Sequence, residues 1–73
     1  MNQATIESEI DPHRAARTGY RITGRDRASV QLAIDTLMTD AEDYGGQASF
    51  IGPVSINLGG QWVWRALGEV VRA

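Results

Sequence analysis

One stretch, from Asp26 to Gly46, carries the only clear helical periodicity in the chain. At about 100° per residue, its apolar side chains fall within about 40° of one line, with Ala33 and Met38 on the flanks. This stripe consists of Val30, Ile34, Leu37, Ala41 and Tyr44. Asp26 is a favourable N-cap, because its carboxylate accepts from free backbone N–H groups, and Gly45-Gly46 suits a left-handed C-cap. The sequence therefore predicts one amphipathic helix that must bury this stripe against a second layer.

Length and composition limit what else the chain contains. With 73 residues, of which 42% are apolar and 22% charged, we expect one small domain over residues 1–73, with residues 1–4 flexible. There is no cysteine, so neither disulfides nor Cys-containing zinc sites are expected to stabilise the core. No run approaches the roughly 20 apolar residues of a membrane span, and the acidic N-terminus is unlike a signal peptide. We therefore expect a cytoplasmic protein with no membrane contact.

Two short strands are predicted ahead of the helix. Thr5 to Ile10 alternates as an edge strand with its isoleucines inward and its glutamates outward. Asp11-Pro12 is a turn signal, because proline presets φ and aspartate bonds to its own backbone two residues on. Thr18 to Arg25 is predicted to be the returning strand, with Tyr20 and Ile22 inward. A hairpin therefore leads into the helix.

Two further strands are predicted after the helix, over Gln47 to Leu58 and Gln61 to Val71. Gly52-Pro53 interrupts the first of them and implies a bulge or an edge position, because proline cannot donate to a β-ladder. The order strand, strand, helix, strand, strand predicts a two-layer α+β domain. Its sheet has three to four mainly antiparallel strands, with the helix on one face.

The length of the loop at Gly59-Gly60 decides which sheet face the tryptophans occupy. A two-residue loop sets Ser55 against Trp64. Both indoles then lie on the other face of the sheet from the apolar residues of the preceding strand. A three-residue loop sets Ile56 against Trp64 and makes one coherent apolar face. We prefer the three-residue loop, since the shorter one places charged side chains on the core face while both indoles lie in water. Trp62 and Trp64 are thus expected in the core.

The outer face of the sheet is predicted to be half apolar if the tryptophans point inward. Its residues would be Ile51, Val63, Leu67 and Val71, together with Arg65 and Glu69. A face of this composition suits a homodimer interface.

No catalytic, cofactor or metal motif is found. His13 is the only histidine, and neither a cysteine nor a second histidine completes a metal site. None of the serines lies in a G-x-S-x-G motif. The segment from Gly19 to Gly24 lacks the lysine of a P-loop, and its two glycines lack the spacing of a dinucleotide fingerprint. We therefore expect a non-enzymatic protein with no catalytic residue, cofactor or metal.

The second half of the helix carries carboxylates that the fold does not require. They lie where the helix macrodipole leaves partial negative charge, so stability alone does not favour them. Leu32 falls about 160° from the centre of the buried stripe and is expected in water. One interpretation is a solvated face that maintains solubility. The other is a patch that docks on a basic surface with an apolar anchor in a polar rim. Its candidate partner-binding residues are Leu32, Asp35, Asp40, Glu42 and Asp43.

An arginine-rich edge lies upstream of the helix and supports an alternative function. All seven basic residues of the chain are arginines. The residues of this edge are Arg14, Arg17, Tyr20, Arg21, Arg25 and Arg27. They suit a small nucleic-acid-binding or regulatory domain in which the aromatic ring stacks on a base. The net charge of −2 disfavours a general nucleic-acid binder, and intramolecular ion pairs are the competing explanation.

In architecture over residues 5–71, the chain resembles the small accessory proteins of phages and other mobile elements, anti-CRISPR inhibitors among them. The shared features are the short strand, strand, helix and hairpin order, the acidic helix closed by glycines, and the lack of lysine and of catalytic motifs. The resemblance implies a stoichiometric inhibitor that docks on a host protein or ribonucleoprotein complex and blocks nucleic-acid entry. Our leading hypothesis is therefore a protein-binding module that presents its acidic helix to a basic, nucleic-acid-binding surface.

Overall fold

Four strands and one helix follow one another in the order strand, strand, helix, strand, strand. The computed structural model describes residues 3–11, 13 and 16–72. The elements are β1 (Thr5–Ile10), β2 (Arg17–Gly24), α1 (Arg27–Asp43), β3 (Gln47–Leu58) and β4 (Gln61–Val71). The strands form one antiparallel sheet in the order β1-β2-β4-β3, and α1 packs against β2, β3 and β4. The predicted two-layer α+β fold is confirmed.

The helix begins and ends close to the residues that the sequence indicates. Asp26 is the N-cap, and its Oδ1 accepts from the Ser29 backbone N–H at 2.7 Å. At the other end Gly45 has a positive φ of 74°, and the Gly46 N–H donates to the Ala41 carbonyl at 2.8 Å. This left-handed residue and its backbone bond end the helix, as the paired glycines predict.

The core lies between α1 and the two central strands, β2 and β4. Its buried cluster consists of Ile22, Val30, Ala33, Ile34 and Ala66. Leu37 packs against this cluster and Ala41 is also buried, so most of the predicted helical stripe faces the sheet. Tyr44 is the exception, at 84% exposure. It is the C-cap residue, beyond the last helical turn, so its side chain does not continue the stripe.

The first hairpin forms as predicted, with β2 displaced by one residue toward the N-terminus. The Asp11 Oδ1 accepts from the His13 backbone N–H at 2.9 Å, which is the expected aspartate turn. Pro12 lies outside the described residues. β1 is the predicted edge strand, and its Ile6 and Ile10 lie on the helix side of the sheet. They are nevertheless 46% and 67% exposed, because α1 packs against the other three strands, so the inward placement does not bury them. The expectation of flexible residues 1–4 falls partly on residues 1–2, which are not described, whereas residue 4 packs against the core.

A bulge in β3 changes which side chains face the helix. Ile51 pairs with Leu67 and Val54 pairs with Arg65, so β3 gains one residue relative to β4 within this interval. An extra residue shifts the alternation of side chains by one position. Even-numbered residues therefore lie on one face before the bulge and on the other face after it. Ala48 and Phe50 lie on the helix side, whereas Val54, Ile56 and Leu58 lie on the outer side. The sequence predicts a bulge or an edge position at Gly52-Pro53, and β3 has both. Uninterrupted alternation, which would place both groups on one face, is the wrong interpretation of this strand.

The hairpin between β3 and β4 has a two-residue loop, so the predicted three-residue loop is wrong. Leu58 pairs with Gln61, which leaves Gly59 and Gly60 as the loop. Their φ values are 58° and 87°, and positive φ at both central residues is what a type I′ hairpin turn requires. Two consecutive glycines satisfy this turn without steric cost, and its twist matches that of the flanking strands.

The two tryptophans lie on the helix side of the sheet but differ in exposure. Trp64 pairs with Gly24 of β2 and packs against the buried cluster, as expected. Trp62 lies two residues nearer the hairpin tip and is 67% exposed. The expectation of a buried Trp62 is wrong, because β2 ends at Gly24, opposite Trp64, and contributes no residue beside Trp62.

Single-tryptophan variants are expected to report this difference. The Trp64→Phe variant retains the exposed Trp62, so its emission should lie at longer wavelength and acrylamide should quench it strongly. The Trp62→Phe variant retains Trp64, which is partly shielded by the core, so quenching should be weaker. Emission spectra and acrylamide quenching of the two folded variants provide the measurement. Equal quenching constants would contradict the assigned register.

Candidate functional site

The side of α1 that faces away from the sheet carries the predicted acidic residues. We define the acidic helix face as Leu32, Asp35, Asp40, Glu42 and Asp43, all of which are exposed. Leu32 is 66% exposed, as predicted. At about 100° per residue, Leu32 and Asp43 project within about 20° of each other, opposite to the buried Ala41. The structure thus brings the five predicted partner-binding residues to one side of one helix.

The acidic helix face is not neutralised by arginines of the described chain. Both ion pairs among residues 3–11, 13 and 16–72 lie on the sheet. On the helix, Asp35 accepts from the Gln31 Nε2 at 2.9 Å, and the last turn of α1 contains no basic residue. The C-terminal end of the macrodipole adds to the negative potential at this end of the helix. A cationic surface would therefore be attracted to this face.

A shallow depression on the acidic helix face has a volume of about 250 Å³. It is lined by Asp35, Thr36, Thr39 and Asp40. The Thr36 hydroxyl donates to the Leu32 carbonyl at 2.9 Å. The charged groups that line the depression are the carboxylates of Asp35 and Asp40. Small-molecule pockets are usually larger, at about 300–1,000 Å³, and more enclosed. The shape of this face suits contact with a macromolecular surface.

The structure pairs two members of the arginine-rich edge with glutamates on the outer face of the sheet. Arg17 Nη1 lies 3.4 Å from Glu69 Oε2. Arg21 donates to both carboxylate oxygens of Glu7, from Nε at 3.1 Å and from Nη2 at 2.8 Å. The hydrogen bonds and positive charge of Arg21 lower the pKa of the Glu7 carboxyl, and Glu7 in turn raises the pKa of Arg21. These two arginines are therefore engaged within the chain.

The other members of the edge lie elsewhere. Tyr20 is on the opposite, helix side of the sheet, and its ring centroid is 6.4 Å from that of Phe50. Arg25 and Arg27 are exposed where β2 leads into α1, and Arg14 lies outside the described residues. The described arginines and the tyrosine do not form one continuous surface. The stacking role expected of the tyrosine ring is not available beside the paired arginines.

The Arg21→Gln variant is expected to raise the pKa of Glu7 toward its ordinary value of 4.5. In the wild-type protein the folded-state pKa is depressed, so this pair stabilises the fold above the unfolded-state pKa. That contribution is lost as the pH falls through the folded-state pKa. An NMR titration of the Glu7 carboxyl carbon measures the pKa directly. The Arg17→Gln variant is the control, because Arg17 pairs with Glu69 and should leave Glu7 unchanged. An unaltered Glu7 pKa in Arg21→Gln would show that the ion pair is absent in solution.

The outer sheet face, which lies opposite α1, is a second exposed surface. Its apolar residues are Ile51, Val54, Ile56, Leu58, Val63, Leu67 and Val71. Four of these were predicted from the sequence, whereas the three from the second half of β3 were expected in the core beside the tryptophans. Applying the reversal of alternation at Gly52-Pro53 would have found them. The predicted charged members, Arg65 and Glu69, also lie on this face.

In residues 3–11, 13 and 16–72, no three side chains of the types that bind metals converge. Across those same ranges, no helix has the length and apolar character needed to cross a membrane.

Comparisons with known proteins give no match. No family model matches the chain, and neither curated proteins nor solved structures show significant similarity to it. Function is therefore inferred from the charge, exposure and shape of the surfaces described above.

Proposed function

We propose that this chain is a non-enzymatic protein-binding module whose acidic helix face docks on a basic surface of a partner protein. The observation that carries the proposal is the arrangement of exposed carboxylates around the exposed Leu32 on one side of α1. The opposite side of the helix packs against three strands, so the face is presented on a rigid element. A preorganised face has little conformational entropy to lose on binding.

Charge and apolar contact have different parts in this proposal. The carboxylates steer the encounter with a cationic surface and disfavour acidic partners. Leu32 supplies the apolar anchor, and burying a leucine side chain contributes about 1.5–3 kcal/mol when burial is complete. An anchor surrounded by a polar rim is the usual arrangement of a small protein interface.

The partner surface is proposed to be one that otherwise holds nucleic acid. Such surfaces are rich in arginine and lysine, and carboxylates on a helix compete with phosphates for the same cations. The resemblance to small phage inhibitors supports the same class of partner, a host nuclease or ribonucleoprotein complex. Binding would then inhibit stoichiometrically, by occupying the surface rather than by turnover.

Direct nucleic-acid binding through the arginine-rich edge receives less support. Arg17 and Arg21 are already paired with glutamates, and Tyr20 lies on the other face of the sheet. A mainly acidic exposed helix would also repel phosphates.

Capture from a bacterial lysate tests the proposal. Tagged wild-type protein is compared with a triple variant, Asp40→Ser, Glu42→Ser and Asp43→Ser, and with the control Glu9→Ser. Glu9 is an exposed carboxylate on β1, away from α1. We expect the wild type and the control to retain a stoichiometric protein, and the triple variant to lose it. A partner retained equally by all three, or recovery of nucleic acid alone, would contradict the proposal.

A further inference from the structure

The outer sheet face combines an exposed ridge with a neighbouring depression. Ile51 and Leu67 are paired in register and are 79% and 53% exposed, so they form an apolar ridge across β3 and β4. Beside them lies a depression of about 610 Å³. Gly19 of β2 lines it and contributes no side chain, and Ile51 and Leu67 form part of its wall. Its charged lining residues are Glu9, Asp11, Arg17 and Glu69. An exposed apolar ridge and a recess large enough to accept two such side chains therefore lie side by side.

The strand residues of the outer sheet face carry no net charge. They include the glutamates Glu7, Glu9 and Glu69 and the arginines Arg17, Arg21 and Arg65. Two of the arginines pair with glutamates within the face, and Arg65 Nε donates to the Thr23 hydroxyl at 3.3 Å. A balanced face does not select a strongly charged partner, and it meets a copy of itself without net repulsion. Two acidic helix faces, in contrast, would repel each other.

The size of the outer sheet face matches that of a stable dimer interface. The 37 strand residues of β1 to β4, spaced about 3.3 Å along each strand and about 4.8 Å between strands, cover a face of about 600 Å². This projected area is of the order of the 800 Å² of accessible surface that each partner buries in a standard interface. The exposed apolar side chains of this face are neighbours, whereas most protein surfaces expose leucines and valines singly.

We propose that two copies of the chain associate through their outer sheet faces about a two-fold axis. In this dimer the ridge of Ile51 and Leu67 in each copy fits the depression at Gly19 of the other. The contact is isologous, so each ridge-in-recess contact occurs twice. The two sheets stack face to face, about 10 Å apart. Both acidic helix faces then point outward, so the dimer is a bivalent form of the module.

The Gly19→Leu variant tests the recess. An added Cβ at Gly19 would have only the Glu9 carbonyl oxygen near it, at 3.8 Å, so the monomer should fold. The leucine side chain would project into the depression and obstruct the ridge of the second copy. Purified wild-type protein should sediment at twice the chain mass of 8.0 kDa, and Gly19→Leu at the chain mass. Leu32→Ser, which changes the acidic helix face, is the control and should remain dimeric.

The Ile51→Arg variant tests the ridge from the other side. Ile51 is largely exposed, so arginine should be tolerated in the monomer but should disrupt the dimer by placing an unpaired charge in its centre. Far-UV circular dichroism checks that both variants are folded. A wild-type protein that stays at the chain mass up to about 100 μM would overturn the proposal. A dimer that persists in Gly19→Leu would also overturn the proposal. Such a dimer would form elsewhere, for example by pairing of two β3 edges, which a substitution on the central strand β2 does not affect. Purified protein contains no partner, so this result is independent of the proposed function.

Discussion

The Gly68→Ala variant is expected to lose a large part of its folding stability. Gly68 lies on β4 between Tyr20 of β2 and Phe50 of β3. An added Cβ would overlap the Phe50 ring and approach the Ser49 carbonyl oxygen to 2.5 Å. Because both flanking strands are paired along their length, the backbone cannot move aside without breaking the sheet. Overpacking costs about 1–3 kcal/mol or more, against a total stability of about 5 kcal/mol for a domain of this size.

Urea denaturation followed by far-UV circular dichroism measures this loss. The matched control is Gly19→Ala, which also adds a methyl group to a glycine in a central strand. Its Cβ would have an ordinary contact of 3.8 Å, so we expect stability within about 0.5 kcal/mol of the wild type. A Gly68→Ala variant as stable as this control would show that Phe50 does not pack across β4.

The Ile22→Ala variant is expected to be destabilised by about 2–5 kcal/mol, the range for truncating a buried isoleucine to alanine. Ile22 is 0% exposed and belongs to the cluster that joins β2 to α1 through Val30. The cavity left in so small a core has few neighbours that can collapse into it. The loss therefore approaches the whole stability of the domain.

Chemical denaturation again gives the measurement for Ile22, with Ile10→Ala as the control. Ile10 is an isoleucine on the neighbouring edge strand and is 67% exposed, so its truncation should cost no more than about 0.5 kcal/mol. Similar losses in the two variants would place the core elsewhere than between α1 and β2.

The helix and the strand order were predictable because their signals are local. The Asp26 cap, the apolar stripe and the Gly45-Gly46 terminus each act within a few residues, and the structure confirms all three. Alternation and turn residues located all four strands to within one residue of their observed ends. Only Tyr44 departs from the helical stripe, because the helix ends before it.

The assignment of sheet faces was not predictable in the same way. It depends on the residue count within the bulge at Gly52-Pro53 and on the loop at Gly59-Gly60, and an error of one residue reverses a face. The bulge moves the apolar second half of β3 to the outer face, and the two-residue loop sets Trp64 against Ser55. Trp62 is exposed because β2 ends before reaching it, a limit set by tertiary pairing rather than by any local pattern.

The two candidate surfaces differ for the same reason. The acidic helix face could be placed from helical periodicity alone, and the structure exposes every residue of it. The arginine-rich edge could not be judged from sequence, because the pairs Arg21–Glu7 and Arg17–Glu69 join different strands. Only the register of the sheet brings these charges together.

The most direct test of the acidic helix face is the salt dependence of affinity for the captured partner. Isothermal titration calorimetry would compare wild-type protein with the Asp40→Ser, Glu42→Ser and Asp43→Ser triple variant over a series of NaCl concentrations. We predict that wild-type affinity falls steeply with salt, and that the variant binds at least about tenfold more weakly with a shallower dependence. An unchanged affinity and an unchanged salt dependence in the triple variant would contradict the account.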